Sequence, residues 1–417
     1  MSKRVSADYV VGIDVGTSKV AVVIGEVQPE DKLRVVGYAS TPTAGGLKKG
    51  VVVNIERTIE AIRRSLETAE LMADCRVRSA YVTLTGSHVR SLNSTGVVPI
   101  RRSEITDRDV DSVIEAASAM AIPADQQILH VLAQEFVVDG QEGIHDPVGM
   151  SAVRLEARVH MVTGATSPAQ NLQKCVERCG LTVEKLVLGQ LASAEAVLLR
   201  DERELGVAVV DIGGGTSDIA VYKGGAIRHT AVLPIAGDQV TNDIAVAFRT
   251  PAHHAEEIKK NYGCARAELV TDNDVIEVPA VGEIPARELS RQMLAEVMRP
   301  RLAELLRYVR KELHRADVYD LIAGGVVLTG GVARTPGLIE LAEDVFQIPV
   351  RVGVPQSVDL GDEARRHDPA CAASAGLLLY ALQQRPRRGR SGGSGGIGSG
   401  GVRVWVDKVR SWVTGNL

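Results

Sequence analysis

VAVVDIGGGTSDIAVYKGG, residues 207–225, decides how this chain folds. A β-branched run ends in Asp211, a turn of Gly, Thr and Ser follows, and a second β-branched run leads away, which is hairpin chemistry. Much earlier, YVVGIDVGTSKVAVVIG, residues 9–25, repeats that order around Asp14. The chain reads as internally duplicated. A third glycine turn lies in AGGVVLTGGVARTPGLIELAEDVF, residues 323–346, between an apolar strand and a helix starting near Pro336. Such a turn lets backbone approach a ligand closely, and the helix behind it offers N-terminal amides.

Phosphate oxygens need convergent N–H donors, and turns of Gly, Thr and Ser supply amides and hydroxyls without blocking access. Two facing hairpins therefore suit one polyphosphate held between them. Gly16, Thr17, Ser18 and Lys19 lie on one side, and Gly213, Gly214, Gly215 and Thr216 on the other. Asp14 and Asp211 end their strands beside the turns, where they suit a Mg²⁺ that keeps several waters and the ligand's own phosphates. Asp218 is the third acid near the phosphates, Lys19 adds a point charge, and Gly330 and Gly331 of the third turn belong beside an adenosine.

The 417 residues exceed one compact domain, so two lobes with separate cores are expected. Apolar residues make up 45% and aromatics only 3%, so the interiors must be built from Val, Leu, Ile and Ala, which favours α/β with sheets covered on both faces. The five cysteines are odd in number and form no CxxC pair, which argues against a disulfide framework or a thiolate metal site. Cys175 and Cys179 share a helix face and are expected to pack. The apolar run at residues 9–15 is too short to cross a bilayer and contains Asp14, so a cytoplasmic start is expected. Net charge is −4, yet residues 385–417 hold seven bases against one acid and leave −10 for the body. An acidic body excludes a general nucleic-acid binder, whereas a basic tail suits an anionic surface.

The expected organisation is a first-lobe core at 1–85, an inserted α+β subdomain at 86–165, and the first lobe again at 166–204. A second-lobe core follows at 205–242, then an insertion at 243–310, the second lobe at 311–356 and a return to the first lobe at 357–384. Thr106 and Asp109 form a capping box for a helix in the first insertion, and a strand at 154–162 alternates at Leu155, Ala157, Val159 and Met161. A helix over 286–315 is expected to kink or break at Pro300. Residues 385–401 read as a flexible basic linker, mostly Gly, Ser and Arg, spanning roughly 20 Å. Residues 402–417, VRVWVDKVRSWVTGNL, place Val402, Trp405, Val406, Val409, Trp412 and Val413 on one helical stripe with charges mostly opposite, the pattern of a helix lying in a bilayer interface or, alternatively, docking on its own body or in another protein's groove.

The two hairpins, a connecting helix LASAEAVL (191–198), the LTGG turn and a second connecting helix CAASAGLLL (371–379) together resemble the actin, Hsp70 and sugar-kinase superfamily. Within it the chain resembles the bacterial cell-division FtsA family, on KGVVVNIERT (49–58), ELGVAVVDIGGGTSDIAVYKGGAIRHT (204–230), AGDQVTNDIAVAF (236–248) and AEEIKKNYGCA (255–265). The resemblance implies an actin-like two-lobed α/β fold with mixed sheets flanked by helices, binding ATP or ADP with Mg²⁺ in the cleft. It implies nucleotide contact for Gly237 and Asp238, and for Glu256 and Lys259 as the pair directed at ribose and adenine. By spacing alone, Glu256 and Lys259 are equally an ordinary ion pair on one helix face. Where several ATPases of the superfamily carry an acid before the first connecting helix, this chain has Gly189 and Gln190. Gln190 is the one weak candidate to orient a water, so hydrolysis is expected to be slow or absent.

The resemblance further implies self-association into filaments, binding of FtsZ through 243–310, recruitment of later divisome proteins through 86–165, and attachment to anionic inner-membrane lipid through the tail. It places the protein on the cytoplasmic face of the cell membrane at the division septum. A type IV pilus assembly scaffold of the PilM kind and a small-molecule kinase are the alternatives. The first has no need of a Trp-bearing tail, and the second lacks a glycine-framed Asp beyond the hairpins.

Overall fold

A computed structural model describes residues 8–29, 32–271, 273–280, 285–356, 358 and 360–385. Two five-stranded sheets are built on one plan. In the first, the strands run Thr182–Leu188, Ser79–Leu84, Tyr9–Val15, Lys19–Val27, Leu33–Pro42 across the sheet. In the second they run Val350–Val352, Val326–Thr329, Val207–Ile212, Ser217–Lys223, Ala226–Leu233. Each is an antiparallel three-strand meander with two strands added in parallel beside its first member. The duplication seen in the hairpins therefore extends to whole sheets, with both Asp-bearing strands central.

Aliphatic composition explains the layering. Val20, Ala21, Val22, Val23 and Ile24 are all fully buried, as a strand covered on both faces requires, and each buried Val or Ile contributes about 1.5–3 kcal/mol. Helix Ile55–Ala73, capped by Asn54 accepting from the Arg57 amide at 3.0 Å, covers one face of the first sheet with Ile59, Ile62, Leu66 and Ala69. Helices Gly237–Phe248, Arg291–Arg315 and Leu338–Phe346 cover the outer face of the second.

Between the sheets lie two apolar helices, Gly189–Val197 and Ala372–Gln383. A Cβ on Gly376 would sit 1.6 Å from the Ala192 carbonyl oxygen, so the helix backbones touch directly. The cores are not wholly separate for this reason. Ala208, Val210 and Ile212 face the second lobe's own core, while Val207 and Val209, on the other side of the same strand, join the first lobe's core through the helix pair.

The inserted subdomain has a sheet in the order Arg90–Pro99, Arg154–Ala165, Gln126–Val138, Gln141–Ile144. Helix Asp107–Ser118 packs on one face over Leu155, Ala157, Val159 and Met161, and the Thr106 amide donates to Asp109 Oδ2 at 2.8 Å as the capping signature requires.

Two local expectations change. Arg287–Ser290 is a strand paired with Val275–Val278, and Ser290 then caps a helix that begins only at Arg291 and continues past Pro300 to Arg315. Sheet pairing overrides helix propensity at 287–290, and ten buried side chains along the helix hold it through the proline. Cys175 and Cys179 do pack, with the Cys179 thiol donating to the Cys175 carbonyl, and all five cysteines are free. The linker beyond Arg385 and the stripe Val402, Trp405, Val406, Val409, Trp412 and Val413 lie outside the described residues. Among the described residues no helix is long and apolar enough to cross a membrane.

Candidate functional site

Both Asp-bearing strands end at the gap between the lobes, and the turns beyond them meet there. A cavity of about 590 Å³ is lined by Asp14, Gly16, Thr17, Ser18, Lys19, Asp211, Gly213, Gly214, Gly215, Thr216, Asp218, Glu256, Lys259, Gly330 and Gly331. Residues from three glycine turns roughly 120 to 200 positions apart thus share one cleft. The hairpin tips are in contact. A Cβ on Gly214 would lie 1.9 Å from Ser18 Oγ and one on Gly215 2.5 Å from Thr17 Oγ1, so neither position tolerates a side chain in this closed arrangement.

Hydroxyls hold all three carboxylates. Thr83 Oγ1 donates to Asp14 Oδ1 at 2.8 Å while accepting from the Val15 amide at 2.9 Å. Ser193, on the first connecting helix, donates to Asp211 Oδ2. Thr85 Oγ1 reaches across the lobes to Asp218 Oδ1 at 2.8 Å. Asp211 and Asp218 also face each other directly in the antiparallel ladder. Burial pushes the Asp14 carboxyl up, and it pushes Asp211 up to about 6 with a further push from Asp14. Burial and the neighbouring Asp211 push Asp218 up to about 7 against the opposing hydrogen bonds from Thr85 and Thr216.

The residues fit a Mg-nucleotide. The carboxylates present hard oxygen donors whose mutual repulsion a divalent cation would relieve, and although the Gly16 and Gly213 amides are used within their own turns, by the Lys19 and Thr216 carbonyls, the glycines leave the backbone beside the carboxylates clear of side chains. Among the described residues no group of three or more metal-ligating side chains occurs, so a cation at Asp14 and Asp211 would have to complete its shell with water and the ligand's own oxygens. Lys19 Nζ lies in the cleft and donates to the Ala370 carbonyl at 2.9 Å.

Glu256 and Lys259 both line the cleft and pair at 2.6 Å, with Lys259 also donating to the Gly237 carbonyl at 3.1 Å. The pair is largely buried rather than solvated. Gly237 and Asp238 stand behind the lining: their amides donate to the Gly213 and Gly214 carbonyls and brace the second turn. Gln190 is fully buried outside the lining, its amide nitrogen directed at the Ala231 carbonyl at 3.4 Å.

Sequence reasoning missed Thr83, Thr85, Ser193, Tyr38, Arg334 and Asp368. Thr83 and Thr85 alternate at the carboxyl end of a central parallel strand, which is the one signal that marks them. Arg334 and Asp368 form a two-pronged ion pair across the cleft mouth, with Nε to Oδ1 at 2.7 Å.

Residues 208–376 match the family described as cell division protein FtsA, and residues 86–163 match the SHS2 domain inserted in it. The cell division protein FtsA of Pseudomonas aeruginosa is 52% identical over 420 residues and covers 100% of both chains. That of Escherichia coli K12 is 43% identical over 421 residues and covers 99% of both. Among solved structures, the PilM-PilN type IV pilus biogenesis complex superposes with a TM-score of 0.65 at 19% identity, covering 89% of this chain and 98% of that one. MreB5 of Spiroplasma citri bound to ADP gives 0.52 at 14%, covering 89% and 95%, and the MamK double helical filament 0.51 at 16%, covering 89% and 98%. These neighbours share the actin-like fold. Full-length identity at this level, with both parts of the family matched in their expected places, makes the chain a member of the FtsA family of cell-division proteins.

Proposed function

We propose that the chain binds ATP or ADP with Mg²⁺ between its two glycine hairpins and acts as a nucleotide-controlled scaffold. In this reading it tethers the FtsZ ring to the cytoplasmic membrane at the septum. The observation that carries the nucleotide part is the convergence of Asp14, Asp211 and Asp218 with three glycine turns on one cleft. Asp14, Gly16, Thr17, Ser18, Lys19, Asp211 and Gly213 to Asp218 take the cation and phosphates, Gly330 and Gly331 the adenosine, and Glu256 with Lys259 the ribose and base. The MreB5 structure with ADP supports that assignment by analogy of fold. Asp14 and Asp211 meet the cation through its waters, and with Gln190 directed at the Ala231 carbonyl instead of into the cleft the protein is at most a weak ATPase.

Self-association into filaments is supported by the actin-like fold shared with the MamK filament. The 243–310 region takes FtsZ, the 86–165 subdomain later divisome proteins, and the stripe Trp405 to Val413 anionic inner-membrane lipid. A single short amphipathic helix holds lipid only marginally, so filament formation supplies avidity and couples assembly to attachment.

Titration with fluorescent ATP in Mg²⁺ tests the cleft: saturable binding is expected, with affinity falling at least about tenfold in Asp211→Ala, a loss of one charge-assisted contact or more. Absence of saturable binding overturns the reading. Sedimentation with anionic vesicles tests the tether: a chain ending at Gln384 stays in the supernatant, and equal pelleting of both forms removes the membrane role.

A further inference from the structure

The inserted sheet has two different faces. One is apolar and lies under the helix Asp107–Ser118. The other carries His130 and His160, which are 0% and 1% exposed, polar residues hidden as deeply as the core. Buried polar groups are mostly paired, and here the partners come from both lobes, with His130 Nδ1 alone of the four ring nitrogens left without one.

Towards the first lobe, His130 Nε2 accepts from the Leu188 amide at 3.2 Å, at the residue where the chain enters the first connecting helix. Towards the second lobe the contacts fall on the edge strand Ala226–Leu233. His160 Nε2 pairs with Thr230 Oγ1 at 2.9 Å while its Nδ1 pairs with Asn93 Oδ1 at 2.7 Å. Ser91 Oγ donates to the Thr230 carbonyl at 2.7 Å, and Gln134 Nε2 to the Ile227 carbonyl at 2.8 Å. Gln134 is the extra residue of a bulge opposite Arg158 and Val159, the kind of irregularity that re-aims a side chain. The same subdomain leaves the first lobe directly after Thr85, whose hydroxyl holds Asp218 across the cleft.

We infer that the inserted subdomain is a strap across the hinge, and that His160, Thr230 and Gln134 are positioning residues that set how readily the nucleotide cleft opens. The subdomain is covalently part of the first lobe and hydrogen-bonded to the second. Parting the lobes must therefore either break the seam on the Ala226–Leu233 strand or tear the subdomain from Leu188. By linkage, a ligand or protein that draws the subdomain off the second lobe favours opening, and bound nucleotide resists that partner by the same factor. The inference rests on the nucleotide reading of the cleft for its consequence, while the strap itself is a statement about lobe motion.

The full-length chain carrying Thr230→Val, with Thr230→Ser as the conservative rescue, separates the two. The first readout needs no nucleotide: hydrogen exchange at the Gly330 amide, which donates across the lobes to the Pro369 carbonyl at 3.1 Å. Exchange about five-fold faster in Thr230→Val and near parental in Thr230→Ser is expected, the scale of one buried hydrogen bond. The second readout is release of fluorescent ADP, expected to quicken by a similar factor in the Val variant only. Thermal midpoints of the two variants within a few degrees of each other exclude general loosening. Parental exchange at Gly330 in Thr230→Val, with faster exchange confined to the seam itself, overturns the strap. A parent that binds no nucleotide overturns the cleft assignment instead, and the exchange arm still decides the strap.

Discussion

Replacing Asp218 by Asn should stabilise the nucleotide-free chain, and by an amount that grows with pH. The carboxyl is buried against Asp211, and its pKa is pushed from 3.8 up to about 7. Below pH 3.8 the folded and unfolded forms are both protonated, and burial costs nothing in charge. Between that point and about 7 the unfolded chain has released a proton that the folded chain retains, so stability falls as pH rises and levels off above the folded value. At 1.36 kcal/mol per unit, a shift of about three units amounts to at most about 4 kcal/mol at pH 8, against about 1.6 kcal/mol at pH 5. Asn keeps an acceptor for the Thr85 hydroxyl but carries no charge. Urea unfolding followed by circular dichroism should therefore show the variant gaining about 2 kcal/mol more over its parent at pH 8 than at pH 5. The same variant should bind Mg-nucleotide worse, since the repulsion it relieves is what a cation would otherwise neutralise. Parallel pH profiles for the two proteins would refute the reasoning, because the carboxyl would then be ionised at ordinary cost.

Gly214→Val should leave the fold intact yet weaken ATP binding by about tenfold or more, since any Cβ there meets Ser18 Oγ and forces the hairpin tips apart; unchanged titration would show that the tips need not meet. Gly376→Ala should destabilise by about 1–3 kcal/mol, because the new methyl collides with the Ala192 carbonyl, and the midpoint of unfolding measures it. Acid should loosen the strap: burial holds His160 down to about 3, so the stability it contributes is complete above the usual 6.5 and is lost as pH falls towards 3. His160→Gln should flatten that part of the acid limb, checked by unfolding between pH 4 and 7.

The hairpins were legible because turn chemistry is local: Gly, Thr and Ser after a strand-ending Asp announce themselves within eight residues, and the repeat of the pattern gave the pairing of the lobes. Thr83, Thr85 and Ser193 were not, since a hydroxyl near a carboxylate has no meaning until a parallel strand and a helix from elsewhere bring it there. The strand at Arg287–Ser290 reads from sequence as helix because its helix-favouring residues outweigh a four-residue pairing with Val275–Val278 that no local signal announces. Alternation at Leu155, Ala157, Val159 and Met161 located one buried face correctly. The other face, from His160 to Gly164, is also hidden. Its residues, His160, Val162 and Gly164, gave no hint of this, because what covers them is the junction of two lobes distant in sequence. Gln190 reads from sequence as a cleft residue by its place before the connecting helix, yet one further step along that helix turns its side chain to Ala231.

The contact of Gly376 with Ala192 joins the lobes by main chain against main chain. Interlocked side chains would have to change rotamer before one helix could slide along the other, and each such change adds a barrier. At this one point the helices meet without side chains, while Leu377 and Tyr380 pack around Ala192 on either side, so relative motion must disengage those side chains as well as the periphery: the clasp at Arg334 and Asp368, the carboxylate cage, and the polar seam on the inserted sheet.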